Sequence, residues 1–490
     1  MRRPGFAVAL LVCLTAAGCM VGPDYKRPDA PASPAFKELA GWKPTTPRDD
    51  LDKGAWWSVY RDPELDRLER MVEVSNQTVK EFEAEYRNAV ALVGVARAGL
   101  FPTASLNSGI TRSGGGGGGG SGGFGSGGGG GRGDSTIYSI QGSVSWDLDV
   151  WGKVRRQVES GVAGAQASAA DLANAKLSAQ ATLATDYFDL RAEDSLAQLL
   201  RETVDAYQRA LDITRNQYRA GTSSSADYVT ALAQLQSTQA QLVGVSVQRQ
   251  TFEHAIAMLT GHAPADLTIA PARLTSVVPV VPAGLPSTLL ERRPDIAAAE
   301  RQMQQQNALI GVQVAAYYPD ISLSALGGFE STMVSQLFTT ASRVWSLGAA
   351  GAETLFSGGA RPAAVAAARA TYDQSVATYR QAVLTAFQQV EDALSSLRIL
   401  EQQASAEAIA VSSTRKAVDV TLNEYRAGTV AYTSVITEQA LLLSDQQTAL
   451  AVQQSRLVES VALIEALGGG WSVGSLPEPA VLKRANPVLP

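Results

Sequence analysis

Histidine and cysteine are almost missing, with two of each in 490 residues. His254 falls inside a helical pattern and His262 beside its end; the cysteines are Cys13 and Cys19. No metal-spaced cluster exists among them, so nothing supports catalysis, and no metal or cofactor is called for. An excess of positive charge is also missing. Lys and Arg number 41 against 47 Asp and Glu, and the net charge of −6 gives nucleic-acid binding no electrostatic support. Beyond residue 20 no run of about 18 apolar residues occurs, so no transmembrane helix is expected. Any membrane crossing must then be made by strands. Apolar residues are not scarce: at 45% they allow a substantial buried core.

The N-terminus reads as a secretion signal over residues 1–18. Arg2 and Arg3 supply the positive region, Phe6 to Leu14 the apolar region, and Ala16-Ala17-Gly18 the small-residue cleavage site. Cys19 follows directly, which is the pattern of a bacterial lipobox, with Cys19 diacylated as the mature N-terminus. Cys13 leaves with the signal, so a lipidated Cys19 excludes a disulfide. Residue 20 is Met rather than Asp, so nothing signals retention at the inner membrane.

The chain is a duplication. Tyr-Arg-Ala-Gly-Thr stands at 218–222 and again at 425–429. At the same offset of 207, Thr230 matches Thr437, Ser237 matches Ser444 and Gly261 matches Gly468. Upstream the offset is 217: Ala91-Leu92-Val93-Gly94 matches Ala308-Leu309-Ile310-Gly311, and Pro102 matches Pro319. The difference places extra residues in the first copy between Leu106 and about Trp151, where a glycine run sits.

Residues 23–60, rich in Pro and Trp, read as an extended tether within an anchored segment 19–62. The first repeat covers 63–261, a connector 262–293, the second repeat 294–468 and a tail 469–490. Strands are expected at about 102–112 and 136–150. Tyr138, Ile140, Gly142, Val144, Trp146, Leu148 and Val150 form one face of the latter; Ser139, Gln141, Ser143, Ser145, Asp147 and Asp149 form the other. That alternation suits a membrane barrel with an aqueous interior, although a half-buried strand of a soluble sandwich would look the same. Ser113 to Gly133, almost all Gly and Ser, reads as a flexible extracellular loop. Helices are expected at about 76–99, 153–219 and 226–260. The second copy repeats the layout with a helix at 294–316, strands at 320–329 and 341–356, and helices at 360–426 and 431–467. At about 1.5 Å per residue, the longest helices reach on the order of 100 Å.

Two strands per copy give four per chain. Four strands cannot close a barrel, and an open edge cannot face lipid with its N–H and C=O groups unpaired. The chain must therefore oligomerise, and three copies would supply twelve strands. In each Tyr-Arg-Ala-Gly-Thr, the Arg complements a helix C-terminus and Gly221 or Gly428 suits a left-handed C′ position. Ser224-x-x-Asp227 resembles a capping box. Each motif therefore marks the tip of a helical hairpin, whether or not it also docks a partner.

The chain resembles the TolC-like outer-membrane efflux proteins, and among them the lipoprotein branch of OprM- and NodT-like factors of tripartite efflux systems. The resemblance rests on Pro23-Asp24-Tyr25-x-x-Pro28, Trp56-Trp57 with Asp62-Pro63-x-Leu65, Phe101-Pro102, Trp146-Asp147-Leu148-Asp149-Val150-Trp151-Gly152, Arg292-Arg293-Pro294-Asp295-Ile296, Tyr318-Pro319, Phe356-Ser357-Gly358-Gly359 and both Tyr-x-x-Gly-Thr turns. It implies a mainly α fold with a β-barrel portion, in which long helical hairpins form a periplasmic tunnel. The trimer shares a twelve-stranded outer-membrane barrel, and an equatorial region is built from the tether, 262–293 and the tail. It further implies a homotrimer in outer-membrane lipid, partnered by a periplasmic adaptor and an inner-membrane pump of the RND type. Adaptor docking would fall on Arg219, Gly221, Thr222, Arg426, Gly428 and Thr429. Family gate aspartates of the second turn are replaced here by Ser434 and Thr437, and Val430 stands where OprM-like members place an Asp. The gate candidates are therefore Asp227, Tyr432 and Glu438. The implied function is passive export of drugs or other small molecules; an exit duct for type I protein secretion is the alternative with the same architecture.

Overall fold

A computed structural model describes residues 20–29, 36–39, 55–113, 135–279 and 292–484. The signal segment, Cys19 and all of the Gly-rich tract except Ser113 lie outside the described residues. The chain forms helices α1 (Pro63–Ser75) and α2 (Gln77–Ala98), strands β1 (Thr103–Ser113) and β2 (Ser135–Leu148), and helices α3 (Lys153–Arg219) and α4 (Ser225–Leu259). The second repeat follows as α5 (Pro294–Ala315), β3 (Asp320–Ser331), β4 (Arg343–Ala352), α6 (Ala360–Arg426) and α7 (Tyr432–Ala466), with a short α8 (Pro479–Arg484) at the end.

The strands make one antiparallel sheet in the order β1-β2-β3-β4. Register fixes its faces. Leu106 stands opposite Gly142, Val144 opposite Ala325, Trp146 opposite Leu323, and Ala325 opposite Leu347, so these residues share one apolar face. Thr103, Ser105 and Asn107 share the other with Ser139, Gln141 and Ser143, where Ser105 Oγ and Ser143 Oγ lie 2.7 Å apart. Strand β4 stops at Ala352, short of the expected 356, and Leu355 and Phe356 beyond it are exposed.

From the sheet, α3 and α6 run 67 residues each, about 100 Å away from it. Their return is made by two stacked helices, and the joints repeat. In the first copy the Asn76 side chain caps α2 by accepting from Val79 N, and its amide donates to Leu259 O at the end of α4, at 2.7 Å. In the second, Arg293 Nη1 donates to Ala466 O at the end of α7, at 2.9 Å. A Cβ on Gly261 would lie 2.3 Å from Ser75 O, and one on Gly468 would lie 2.0 Å from Arg292 O. Both glycines also hold a positive φ. Only glycine satisfies both demands, so the stacked helices meet backbone to backbone.

The main core lies midway along the helices. Asp62 caps α1 by accepting from Glu64 N and Leu65 N, and its other oxygen accepts from Tyr187 OH at 2.6 Å. That cap turns Leu65, Leu68 and Val72 onto Leu183, Tyr187 and Phe188 of α3. The expected tether is not extended throughout. Trp56, Trp57 and Tyr60 form a 3₁₀ turn buried in this core, with Trp56 Nε1 donating to Gln180 and Tyr60 OH against Ser460 Oγ. Their indole and phenol groups find partners when buried, which fits them for a core rather than a linker.

Glu69 of α1 is fully buried, and neither carboxylate oxygen has a partner. Burial first, and then the neighbouring charge of Glu73, pushes its carboxyl up to about 9. The folded chain therefore holds a proton that the unfolded chain releases near pH 4.5. Stability is fully present below that pH and falls as pH rises toward about 9, by about 1.4 kcal/mol per unit. Glu69→Gln is expected to flatten this slope, by on the order of 3 kcal/mol at pH 7. Thermal unfolding of the purified protein at pH 5 and pH 8 checks it; an unchanged gap in Tm would refute the assignment.

Candidate functional site

The far ends of the two hairpins lie side by side. Each ends a long helix in a Schellman turn. Thr222 N donates to Gln217 O and Gly221 N to Tyr218 O; Thr429 N donates to Glu424 O and Gly428 N to Tyr425 O, all within 2.9–3.0 Å. The threonine hydroxyls donate to the same Gln217 and Glu424 carbonyls. Gly221 sits at φ +73 and Gly428 at φ +75, and a Cβ at either would touch nothing within 4 Å. These glycines answer a backbone demand alone, unlike Gly261 and Gly468. All six candidate docking residues, Arg219, Gly221, Thr222, Arg426, Gly428 and Thr429, are exposed at this one end.

Between the turns lies a small core of Tyr207, Leu211, Ala231, Leu235, Tyr432 and Val435. Tyr425 OH donates to Gln217 Oε1 across the hairpins at 2.5 Å, and the Tyr425 and Tyr432 rings lie 5.2 Å apart. The gate candidates thus have distinct settings. Asp227 closes the capping box: its backbone N donates to Ser224 Oγ, while its carboxylate accepts from Ser224 N and Ser223 Oγ. Tyr432 is buried, and burial, reinforced by Tyr425, Tyr207 and Asp227, pushes its phenol up to about 12. It packs one hairpin to the other as a neutral side chain. Glu438 is half-buried farther along α7.

The polar face of the sheet is the second element. Among the described strand residues, Asp147, Asp320 and Glu330 all fall on the hydroxyl-lined face, while Arg112 and Arg343 fall on the apolar face. Gln141 Nε2 donates to Glu330 Oε2 at 3.0 Å and fixes that carboxylate on the polar side. Lys153 approaches Asp320 at 3.7 Å near the helical end of the sheet.

The N-terminal segment is the third. Val21 N donates to Trp151 O, and Met20 lies so close to Gly152 that a Cβ there would be 2.6 Å from Met20 Cγ. Arg156, only 1% exposed, donates to Val21 O, Gly22 O, Asp24 and Glu159. Gly22 crosses Gly311 at backbone contact, Asn307 donates to Pro23 O, and Arg27 donates to Tyr379 OH. Met20 is thereby fixed where β2 passes into α3. Arg156 escaped sequence reasoning, although a charged residue on the Ala-rich face of α3 was the available signal.

Comparison with known proteins agrees with this architecture. The family described as "Outer membrane efflux protein" matches residues 70–262 and 285–469. A probable efflux pump outer membrane protein of Pseudomonas putida, TtgC, is 28% identical and covers 93% of each chain. SrpC of the same species, a solvent efflux pump outer membrane protein, is 30% identical over 96% of this chain and 98% of its own. Among solved structures, the outer-membrane channel OprN superposes with a TM-score of 0.84 at 28% identity, covering 92% of this chain and 100% of that one.

Proposed function

Because the chain belongs to the outer membrane efflux protein family, we propose that three copies form the exit conduit of a tripartite system exporting drugs or other small molecules. The chain is not an enzyme; it works as an outer-membrane channel. Energy and most substrate choice come from the inner-membrane pump, of the RND type, joined through a periplasmic adaptor.

One observation carries the trimer: among the described residues the sheet has four strands, an apolar face, a polar face and two open edges. Lipid tolerates no open edge. The helices agree. Of the two equal long helices, α3 buries 25 residues and α6 only 9, so α6 presents a face awaiting cover. The seating of Met20 at the junction of sheet and helices supports acylation of Cys19, whose chains would enter the inner leaflet beside Trp151. The exposed Gly-Thr turns at the opposite end support adaptor docking there. The gate is read as the contact between hairpin tips, with Tyr425, Gln217 and Tyr432 holding it closed and Asp227 shaping the turn. Glu438, half-buried farther along α7, stays a gate candidate beside them.

Loss of the gene is expected to raise intracellular accumulation of a broad compound panel, and the intact chain is expected to restore efflux. Unchanged accumulation in a strain without a related channel would sink the reading. The lumen makes a second prediction. With acids on the inner face and no lysine or arginine among the described strand residues there, the pore is expected to prefer cations. Glu330→Gln is expected to shift the reversal potential toward neutrality at unchanged open conductance, measured in planar bilayers under a salt gradient. An unaltered potential would remove Glu330 from the permeation path.

A further inference from the structure

We propose that a notch on the lipid-facing side of the sheet binds a phosphorylated glycolipid of the outer leaflet, with one acyl chain in an apolar hollow and a phosphate on Arg343. The proposal rests on the conduit reading, which turns the loop end of the sheet outward, and adds a ligand to that surface.

The notch is built by the connection between β3 and β4, which folds back onto the apolar side of the sheet. Its two 3₁₀ turns, Val334–Gln336 and Thr340–Ser342, are tied together at Gln336 O, which accepts from Thr339 Oγ1 at 2.8 Å and from Ser342 Oγ at 2.7 Å. Leu337 is 6% exposed, and the Phe338 ring meets Phe329 of β3 edge-on at 5.5 Å. Beside them lies an open hollow of about 450 Å³ lined by Ser108, Ile110, Tyr138, Ile140, Val334 and Leu337. That volume falls within the range of small-ligand sites. Ile110, Tyr138 and Ile140 belong to the apolar face, so the hollow opens toward lipid, where the apolar occupant on offer is an acyl chain.

Strand length sets the depth of the notch. From Ala352 to Arg343, β4 runs 10 residues, and a tilted strand crosses the hydrocarbon in about 9–11. The turns at 334–342 set the same limit, because irregular backbone exposed to lipid does not persist within hydrocarbon. The hollow therefore opens where acyl chains meet headgroups. Arg343 stands at that level: it lies opposite Phe329, Phe329 opposite Ile140, and Ile140 opposite Ser108, in one row across the four strands. Its side chain is exposed, and Trp345, on the same side two residues along, is 77% exposed. The described strand acids Asp147, Asp320 and Glu330 all lie on the opposite side, so none of them faces Arg343. Arg112, the other cation of the lipid side, is engaged within the chain, so Arg343 carries the charge recognition. A guanidinium at headgroup depth matches the fork of a phosphate. In the outer leaflet of an outer membrane, the lipid that joins phosphate to acyl chains is lipid A.

The test follows lipid binding to the full-length protein in detergent by native mass spectrometry. Diphosphoryl lipid A is the probe, set against its dephosphorylated form and against phosphatidylglycerol. The parent is expected to hold diphosphoryl lipid A about tenfold more tightly than either. Arg343→Gln is expected to erase the preference for phosphate while keeping the affinity for the dephosphorylated form, and Arg343→Lys to retain part of the preference. Val334→Trp, which fills the hollow from its exposed rim, is expected to weaken both forms alike. Equal affinity of the parent and Arg343→Gln for diphosphoryl lipid A, equal retention of phosphatidylglycerol by the parent, or undiminished binding in Val334→Trp would each overturn the site. A parent that conducts in planar bilayers without the preference loses the site and keeps the conduit; a parent that does not conduct loses the conduit reading as well.

Discussion

Gly221→Phe together with Gly428→Phe is expected to reduce export to the level of the deletion strain while the channel still folds and reaches the outer membrane. The reason lies in how these glycines differ from others in the chain. Both hold φ near +75, where a side chain costs about 1–2 kcal/mol. Neither has an atom within 4 Å of a built Cβ, so a phenyl ring would project outward without clashing inside the chain. The local strain falls on a turn already tied by paired Schellman bonds and threonine hydroxyls. What changes is the outer surface, where a partner's backbone could approach a glycine but not a phenylalanine. Site-specific crosslinking to the adaptor should vanish together with export. Retention of both would refute docking at these turns. The control is Gly468→Ala, whose Cβ would lie 2.0 Å from Arg292 O and should impair folding rather than docking.

Asp194→Ala is expected to be the most damaging single change to stability, by about 3–5 kcal/mol. Its carboxylate is 3% exposed and accepts from Arg191 Nη1 at 3.1 Å, Arg249 Nε at 2.8 Å and Ala272 N at 3.0 Å. Both arginines continue outward to backbone carbonyls, Arg191 to Ala270 and Arg249 to Ile269, while Glu253 accepts from Ile269 N. Removing the acid strands the Arg191 cation with little water access, leaves Arg249 to its 2.9 Å pair with Glu253 alone, and frees one amide. The connector at 267–274 would then lose its hold on α3 and α4. Limited proteolysis should cut there in the variant but not in the parent, with a lower Tm in detergent. A variant with parental Tm and cleavage pattern would show that the network contributes little. Asp194→Asn, which keeps the acceptor and size, should fall between the two.

Much of the architecture was legible because it is written twice. A repeated Gly-Thr turn, alternation at Tyr138–Leu148 and uninterrupted Ala-rich stretches are local patterns, and local patterns survive in a linear reading. The turn chemistry was equally local: Gly221 at its C′ position and the Ser224–Asp227 box involve residues three to five apart. What was hidden depends on distant partners. Arg156 meets residues 21–24 across more than 130 positions, and Asp194 meets Ala272 across 78. Nothing near Glu69 marks it as buried without a partner; α1 reads as an ordinary amphipathic helix. Trp56 and Trp57 misled in the opposite direction, since a Pro-rich neighbourhood suggested a linker. Tyr432 stands in the sequence as a gate candidate, but its packing against Tyr207 and Tyr425 joins residues that the linear order keeps apart.

Equal lengths have a consequence for how such a molecule can change. α3 and α6 both contain 67 residues, and α4 and α7 both contain 35. Shortening one alone by a single turn would move its tip by about 5.4 Å and set the two Gly-Thr turns at different heights. Adjusting the reach of the helices while keeping their ends level therefore demands matched deletions in four places within the gene.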